Sequence, residues 1–162
     1  MNRTPDPIAA ARSQWSEVHP GEDTSTMEVV GRVLRAAAVV RRRLDSAIAE
    51  HGLNRAEFDL LCALRRTGEP VTPGRLNELM VASGAATTKR LHQLAGRGLL
   101  ERRADERDRR SARVQLTDRG RELIDEVFPR ALAAERELLA GLGQRRRDSL
   151  ANGLAELLRL VE

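Results

Sequence analysis

The sequence predicts a mainly helical chain with one small β-hairpin. Three observations carry that expectation. Apolar residues recur in steps of three and four along most of the 162 residues. Aromatics are only 2% of the chain and Tyr is absent, so the core of a chain that is 41% hydrophobic has to be built from Leu, Val and Ala, which favours helices over a sandwich or barrel. Helix-start patterns also recur, at Ser25, Asn54, Thr72 and Thr117.

Residues 1–26 read as an N-terminal extension, and residues 27–162 as one domain. Two prolines loosen residues 1–7, alanine-rich residues 8–17 predict a short helix carrying Trp15, and His19, Pro20 and Gly21 break it. Ser25 with Glu28 is a capping-box pattern that opens a long helix to about residue 50. Val30, Val33, Ala37, Val40, Leu44 and Ala47 form its stripe, expected to be buried. Arg41, Arg42 and Arg43 fall largely outside it, as a solvated face. Asn54 caps the next helix, Glu57 completes the box, Leu53 and Phe58 staple it, and it ends near Gly68.

Thr72 followed by Pro73 starts a short helix, because proline's missing N–H costs nothing at the first helical position. Val71 and Leu76 form its staple, and Leu76, Leu79 and Met80 its buried face. Ser83 starts a second helix with Leu91 and Leu94 inward and Gly98 as its stop. Residues 99–103 and 112–116 are two strands joined by an arginine-loaded tip. Thr117 caps another long helix, striped by Leu123, Ile124, Val127, Ala131, Leu138 and Leu142; Pro129 is expected to kink it, and Gly141 and Gly143 end it. A last helix, 145–161, places Leu150, Leu154, Leu157, Leu158 and Val161 on one face.

Residues 72–117 are thus helix, tight turn, helix and hairpin. This is a winged helix-turn-helix within about 53–117, the arrangement that puts one helix in a DNA major groove. Ser83, Gly84, Ala85, Thr88, Lys89 and His92 lie at the exposed start or outer flank of the second helix. The small ones permit close approach to base edges, Thr88 donates or accepts, and Lys89 reaches guanine or phosphate. Residues 102–113 hold six Arg against three acids; Arg107, Arg109, Arg110 and Arg113 are placed to enter a minor groove or track phosphates, with Asp108 bracing Arg110. The flanking helices, about 27–50 and 118–162, are too apolar to decorate a surface. The simplest partner is a second copy about a two-fold axis, which presents two recognition helices to a near-palindromic duplex.

Other classes fit less well. The net charge is +4, the pI is about 10.7, and Lys89 is the one lysine. A single cysteine, Cys62, excludes an intrachain disulfide and a thiolate metal cluster, and its mid-helix apolar setting reads as core rather than redox switch. His19, His51 and His92 are far apart, so no metal is expected. No phosphate loop, nucleophile elbow or convergent His/Asp/Ser set points to an enzyme, and no cofactor is implied. A helical interaction module that ignores DNA would not need six arginines in a hairpin, and its binding would not fall steeply with salt. No apolar run reaches membrane-spanning length and no secretory signal is present, so the expected location is the bacterial cytoplasm, with nucleoid association when bound.

The run Asp105, Glu106, Arg107, Asp108, Arg109, Arg110, Ser111, followed by Val114 through Gly120, resembles the wing signature of MarR-family transcription regulators. The resemblance implies a winged-helix homodimer joined by its first and last helices, usually a repressor that a small ligand releases from DNA. The added helix with Trp15, the segment beginning Met27-Glu28-Val29, and the run from Glu57 to Leu61 resemble the urate-responsive subgroup of that family. The subgroup's Trp, Asp and two Arg match Trp15, Asp59, Arg90 and Arg102, which implies urate or a related purine as the small aromatic anion bound. Independently of any resemblance, Asp59 lies in an apolar run and Arg90 at the edge of an inner face, so each charge needs the other or a bound anion. Ala85, Thr87 and Lys89 stand where the subgroup tends to have Gly, Met and Asn.

Overall fold

In the computed structural model, residues 6–80, 87–104 and 112–162 are described. In chain order these form α1 (Pro7–Val18), α2 (Met27–Ala49), α3 (Arg55–Thr67), α4 (Pro73–Leu79), α5 (Thr87–Gly96), β1 (Leu100–Ala104), β2 (Ala112–Leu116), α6 (Asp118–Leu138) and α7 (Gln144–Val161). The chain divides into two compact units, residues 1–43 and 44–162.

In the first unit, Asp6 caps α1 by accepting from the Ile8 N–H, with Pro7 in the first turn. Charges tie α1 to the start of α2. Arg32 donates from Nε and Nη2 to Asp6 Oδ2 at 2.9 and 2.7 Å, and Arg12 pairs with Glu28. These bonds explain why the capping box expected at Ser25 does not form. The Ser25 N–H donates to Asp23 Oδ1 at 2.9 Å, and the Glu28 carboxylate faces Arg12 and Arg32 instead. The stripe on α2 is also not buried as expected: Val30 is 55% and Val40 40% exposed, Ala37 is exposed, and Val33, Leu44 and Ala47 are half-buried. A single chain covers only the end of this helix, through Ile48, which is fully buried.

The core of the second unit gathers Leu60, Leu61 and Leu64 of α3, Leu76 of α4, Leu91 and Leu94 of α5, Val114 and Leu116 of β2, and Ile124 and Val127 of α6. Local hydrogen bonds start and stop these helices. Asn54 Oδ1 accepts from the Glu57 N–H and Glu57 Oε2 from the Asn54 N–H, both at 3.0 Å. Gly68, at φ 70°, closes α3 in the left-handed conformation that only glycine adopts cheaply. Thr72 caps α4 and Thr117 caps α6, by accepting from the Arg75 and Gly120 N–H groups. Leu79 and Met80 are only half-buried, and Ser83 lies outside the described residues, whose helix begins at Thr87.

β1 and β2 pair antiparallel, Leu100 opposite Leu116 and Arg102 opposite Val114. A third segment joins them. Val71 and Val114 exchange backbone hydrogen bonds of 3.0 and 2.8 Å, so the residue read as a helix staple also closes the sheet beside α4. α6 runs through Pro129 to Leu138, which leaves Leu142 beyond its end rather than on its stripe. α7 buries no residue: Leu150 is 49%, Leu154 41% and Leu158 53% exposed.

One junction sets how α6 leaves the hairpin. Thr117 Oγ1 donates to the Gly98 carbonyl at 2.7 Å, and the Thr117 N–H to the Leu99 carbonyl at 3.1 Å. A Cβ on Gly120 would lie 2.1 Å from that Leu99 oxygen, inside any allowed contact with backbone. Gly120→Ala is therefore expected to destabilise the protein by about 3 kcal/mol, at the upper end of overpacking effects. Urea melts would show it; an unchanged midpoint would mean that the two backbones lie further apart in solution.

Candidate functional site

The second helix of the helix-turn-helix sorts as its spacing requires. Thr87, Leu91 and Leu94 are buried, while Thr88, Lys89 and His92 are exposed on the opposite flank. Ser83, Gly84 and Ala85 lie outside the described residues, as do Arg107, Arg109, Arg110 and Asp108 of the wing tip. Arg113 is described, and it is half-buried. Its Nη1 donates to the Pro70 carbonyl at 3.2 Å, which ties β2 to the loop before α4.

Bonds the sequence reading missed hold this helix at both ends. At its start, Thr87 Oγ1 donates to Asn77 Oδ1 on α4 at 2.7 Å. Just past its end, Arg97 donates from Nη2 to the Gly52 carbonyl at 2.9 Å and from Nη1 to Glu57 Oε1 at 3.3 Å. Glu57 is 7% exposed, so its carboxylate serves the α3 capping box with one oxygen and clamps α5 with the other. The local signal at Glu57 announced only the cap. Arg97, between two glycines, gave no sign of a partner 40 residues away. On the other side of α3, Arg65 makes a two-pronged pair with Asp125 of α6, at 2.8 and 3.0 Å. That bond holds the Asp125 carboxyl below its ordinary range, but the pair is exposed and contributes little to stability.

Of the four residues matched to a ligand, Trp15 belongs to the first unit, where it is half-exposed and stacks on His19 with centroids 5.4 Å apart. Asp59 of α3, Arg90 of α5 and Arg102 of β1 belong to the second. Asp59 and Arg90 are half-buried; Arg102 is exposed, in a strand position of the same parity as buried Leu100. No ion pair joins Asp59 to Arg90, which was one of the two ways the sequence offered of satisfying them. The base beside Asp59 is Arg55, one helical turn earlier, with Nη1 3.8 Å from Oδ1, because residues four apart on a helix meet without any tertiary closure. Burial pushes the Asp59 carboxyl above its ordinary range; Arg55 pulls the other way, and Asp45 adds to the rise. Arg55 makes its shorter bond to that same Asp45, Nε to Oδ1 at 3.1 Å.

Cys62 faces a largely apolar cavity of about 370 Å3 between α3 and α6, which Arg65, Arg66, Ile124, Asp125 and Phe128 also line. Burial pushes its thiol up to about 11, so it is protonated at neutral pH, as an inert core cysteine would be. Among the described residues no cluster of His, Cys, Asp or Glu has the makings of a metal site. No described helix is long and apolar enough to cross a membrane.

Helix-turn-helix, basic hairpin and an outward polar flank on the second helix define a winged-helix DNA-binding regulator. Residues 51–111 match the sequence pattern of the MarR family. The chain is 33% identical over 139 residues to the HTH-type transcriptional regulator PecS of Dickeya dadantii, which covers 85% of this chain and 84% of that protein. Among solved structures, it resembles Bordetella bronchiseptica BpsR, whose DNA binding is regulated by 6-hydroxynicotinic acid (29% identity, TM-score 0.72, 80% of this chain and 93% of that one). It also resembles the transcriptional repressor CouR bound to a 23-mer DNA duplex (28% identity, TM-score 0.71, 81% and 93%). The chain belongs to the MarR family: it is a DNA-binding transcription regulator, and its relatives are regulators rather than enzymes.

Two outcomes follow from this geometry. Arg97→Ala removes both bonds at the end of α5, one of them to a buried carboxylate, and is expected to cost about 1–3 kcal/mol in a urea melt; a loss near zero would show that the clamp is idle. Asp59 holds its proton more tightly folded than unfolded, so its contribution to stability falls as pH rises from the ordinary carboxylate range to its raised value. Asp59→Asn is therefore expected to melt above the parent at neutral pH, with the gap closing at pH below that range. A variant that melts lower at neutral pH would mean that the pull of Arg55 outweighs burial.

Proposed function

We propose that the protein is a homodimeric repressor of the bacterial cytoplasm that binds a near-palindromic operator and is released from it by a small aromatic anion such as urate. The observation that carries the dimer is the uncovered apolar face of α7, with Leu150, Leu154 and Leu158 exposed, together with the open stripe on α2. Contiguous apolar faces of this kind mark association surfaces, and a two-fold pairing covers the same face on both copies at once. On this reading Ser83, Gly84, Ala85, Thr88, Lys89 and His92 meet base edges and phosphates in the major groove. Arg107, Arg109, Arg110 and Arg113 follow the backbone or minor groove.

The effector takes Trp15 as a stacking face, Arg90 and Arg102 as planar forks for its anionic edge, and Asp59 as an acceptor. Support comes from the chemistry of Asp59. A half-buried carboxyl that burial pushes upward gains from a ligand N–H that satisfies it. Arg90, on α5, joins the effector directly to the DNA-reading helix.

The test is fluorescence anisotropy of a labelled duplex from the DNA upstream of the protein's own gene, with and without urate. Salt-sensitive binding that urate reverses is expected, and Arg109→Ala with Arg110→Ala should weaken binding and flatten its salt slope by about two units. Binding indifferent to urate would remove urate as the effector, and an unchanged salt slope would remove the wing from the interface.

A further inference from the structure

We propose that Arg55 belongs to the effector site, and that Asp59 and Arg55 together select a ligand carrying a ring N–H directly beside a ring carbonyl. This rests on the reading of Asp59 as an effector contact. Arg55 and Asp59 stand one turn apart on the same face of α3. Their closest atoms, Nη1 and Oδ1, are 3.8 Å apart, an ion pair too long to be a hydrogen bond. The guanidinium is anchored elsewhere. Nε donates to Asp45 Oδ1 at 3.1 Å, and its carbon lies 5.4 Å from the Phe58 ring centre. Nη2 is buried and has no hydrogen-bond partner among the described residues.

A half-buried acceptor therefore sits beside a buried donor, neither closed by the other. A buried N–H without a partner carries its full desolvation penalty, so a ligand oxygen that accepts from it gains more than one that accepts from a solvated donor. The neighbouring acceptor asks the opposite of the ligand, an N–H. The local charge points the same way. Asp45 and Asp59 set two carboxylates against the one guanidinium that they share, so a bare carboxylate presented here is repelled while a polarised ring N–H is drawn in. The ligand class is then a heterocycle with a cyclic amide or imide edge, its negative charge on the far side, and not a simple benzoate.

The experiment is calorimetric titration of the full-length chain with urate and with trimethylurate, in which N-methyl groups replace three of the ring N–H donors. The parent is expected to bind urate, and trimethylurate about tenfold more weakly. The N-methyl groups of trimethylurate hold that edge off the Asp59–Arg55 pair, so its carbonyl does not reach Arg55 either: Arg55→Gln should lose about tenfold for urate and nothing further for trimethylurate, and Arg55→Lys, which keeps a donor but not the planar fork, should recover part of the loss. Equal losses for both ligands would make Arg55 a structural residue and overturn the inference, as would an Arg55→Gln variant that binds urate like the parent. Should Arg55→Gln melt far below the parent, the Arg55→Lys titrations decide: a selective loss for urate supports the inference, and parent-like or equally reduced binding overturns it. A parent that binds no urate overturns the effector reading itself, and this inference with it.

Discussion

The buried carboxylate of Glu57 is the constraint on which the DNA-reading unit depends. A charge taken out of water has to be matched by donors, and here they come from two directions: the Asn54 N–H at the start of α3 and the Arg97 guanidinium past the end of α5. Arg97 also holds the Gly52 carbonyl in the turn before α3. One carboxylate thus fixes where α3 begins, where the turn before it lies and how α5 leaves the core. The angle at which the second helix presents Thr88, Lys89 and His92 follows from that fixing, with the Thr87–Asn77 bond holding the other end.

The wing is built on the same economy of backbone. Val71 and Val114 pair as in a sheet, Arg113 reaches the Pro70 carbonyl, and Gly120 lets α6 approach the Leu99 carbonyl. The hairpin base is therefore bonded to the segment before α4 and packed against the helix that follows it. This close binding contrasts with the outer helices. α7 buries nothing and α2 buries only Ile48, although both carry regular apolar stripes. A sequence that keeps such stripes while its own core leaves them uncovered is consistent with folding completed against a second surface.

The local features were legible in the sequence. Asn54, Thr72 and Thr117 cap where they were expected to, and Gly68 stops α3, because a cap is a bond between residues at most a few positions apart. Ser25 fails for an instructive reason: Arg12 and Arg32 take the Glu28 carboxylate that would have closed the box, and nothing near Ser25 announces them. The Val71–Val114 pairing and the Glu57–Arg97 clamp each join residues about 40 positions apart, beyond the reach of any local pattern. At the candidate ligand site, the discomfort of Asp59 in an apolar run was legible and its partner was not. An apolar run says that a charge needs company; it does not say that the nearest company is Arg55, one turn back.

That α3 carries both the Asp59–Arg55 pair and Glu57 gives the proposed effector a short route to DNA. Arg55 and Glu57 lie two positions apart in the first turn of the helix, on different faces, one toward Asp45 and the other toward Arg97. A ligand that pulls on Arg55 therefore acts on the same turn whose carboxylate holds the end of α5. The energy required is small. Coupling of about 1–3 kcal/mol changes an affinity by roughly 5- to 150-fold, and one charge-assisted hydrogen bond such as Glu57–Arg97 is of that size. In the proposed homodimer no large rearrangement is needed: tightening or slackening a single clamp in each copy would change how well two helices fit two half-sites at once.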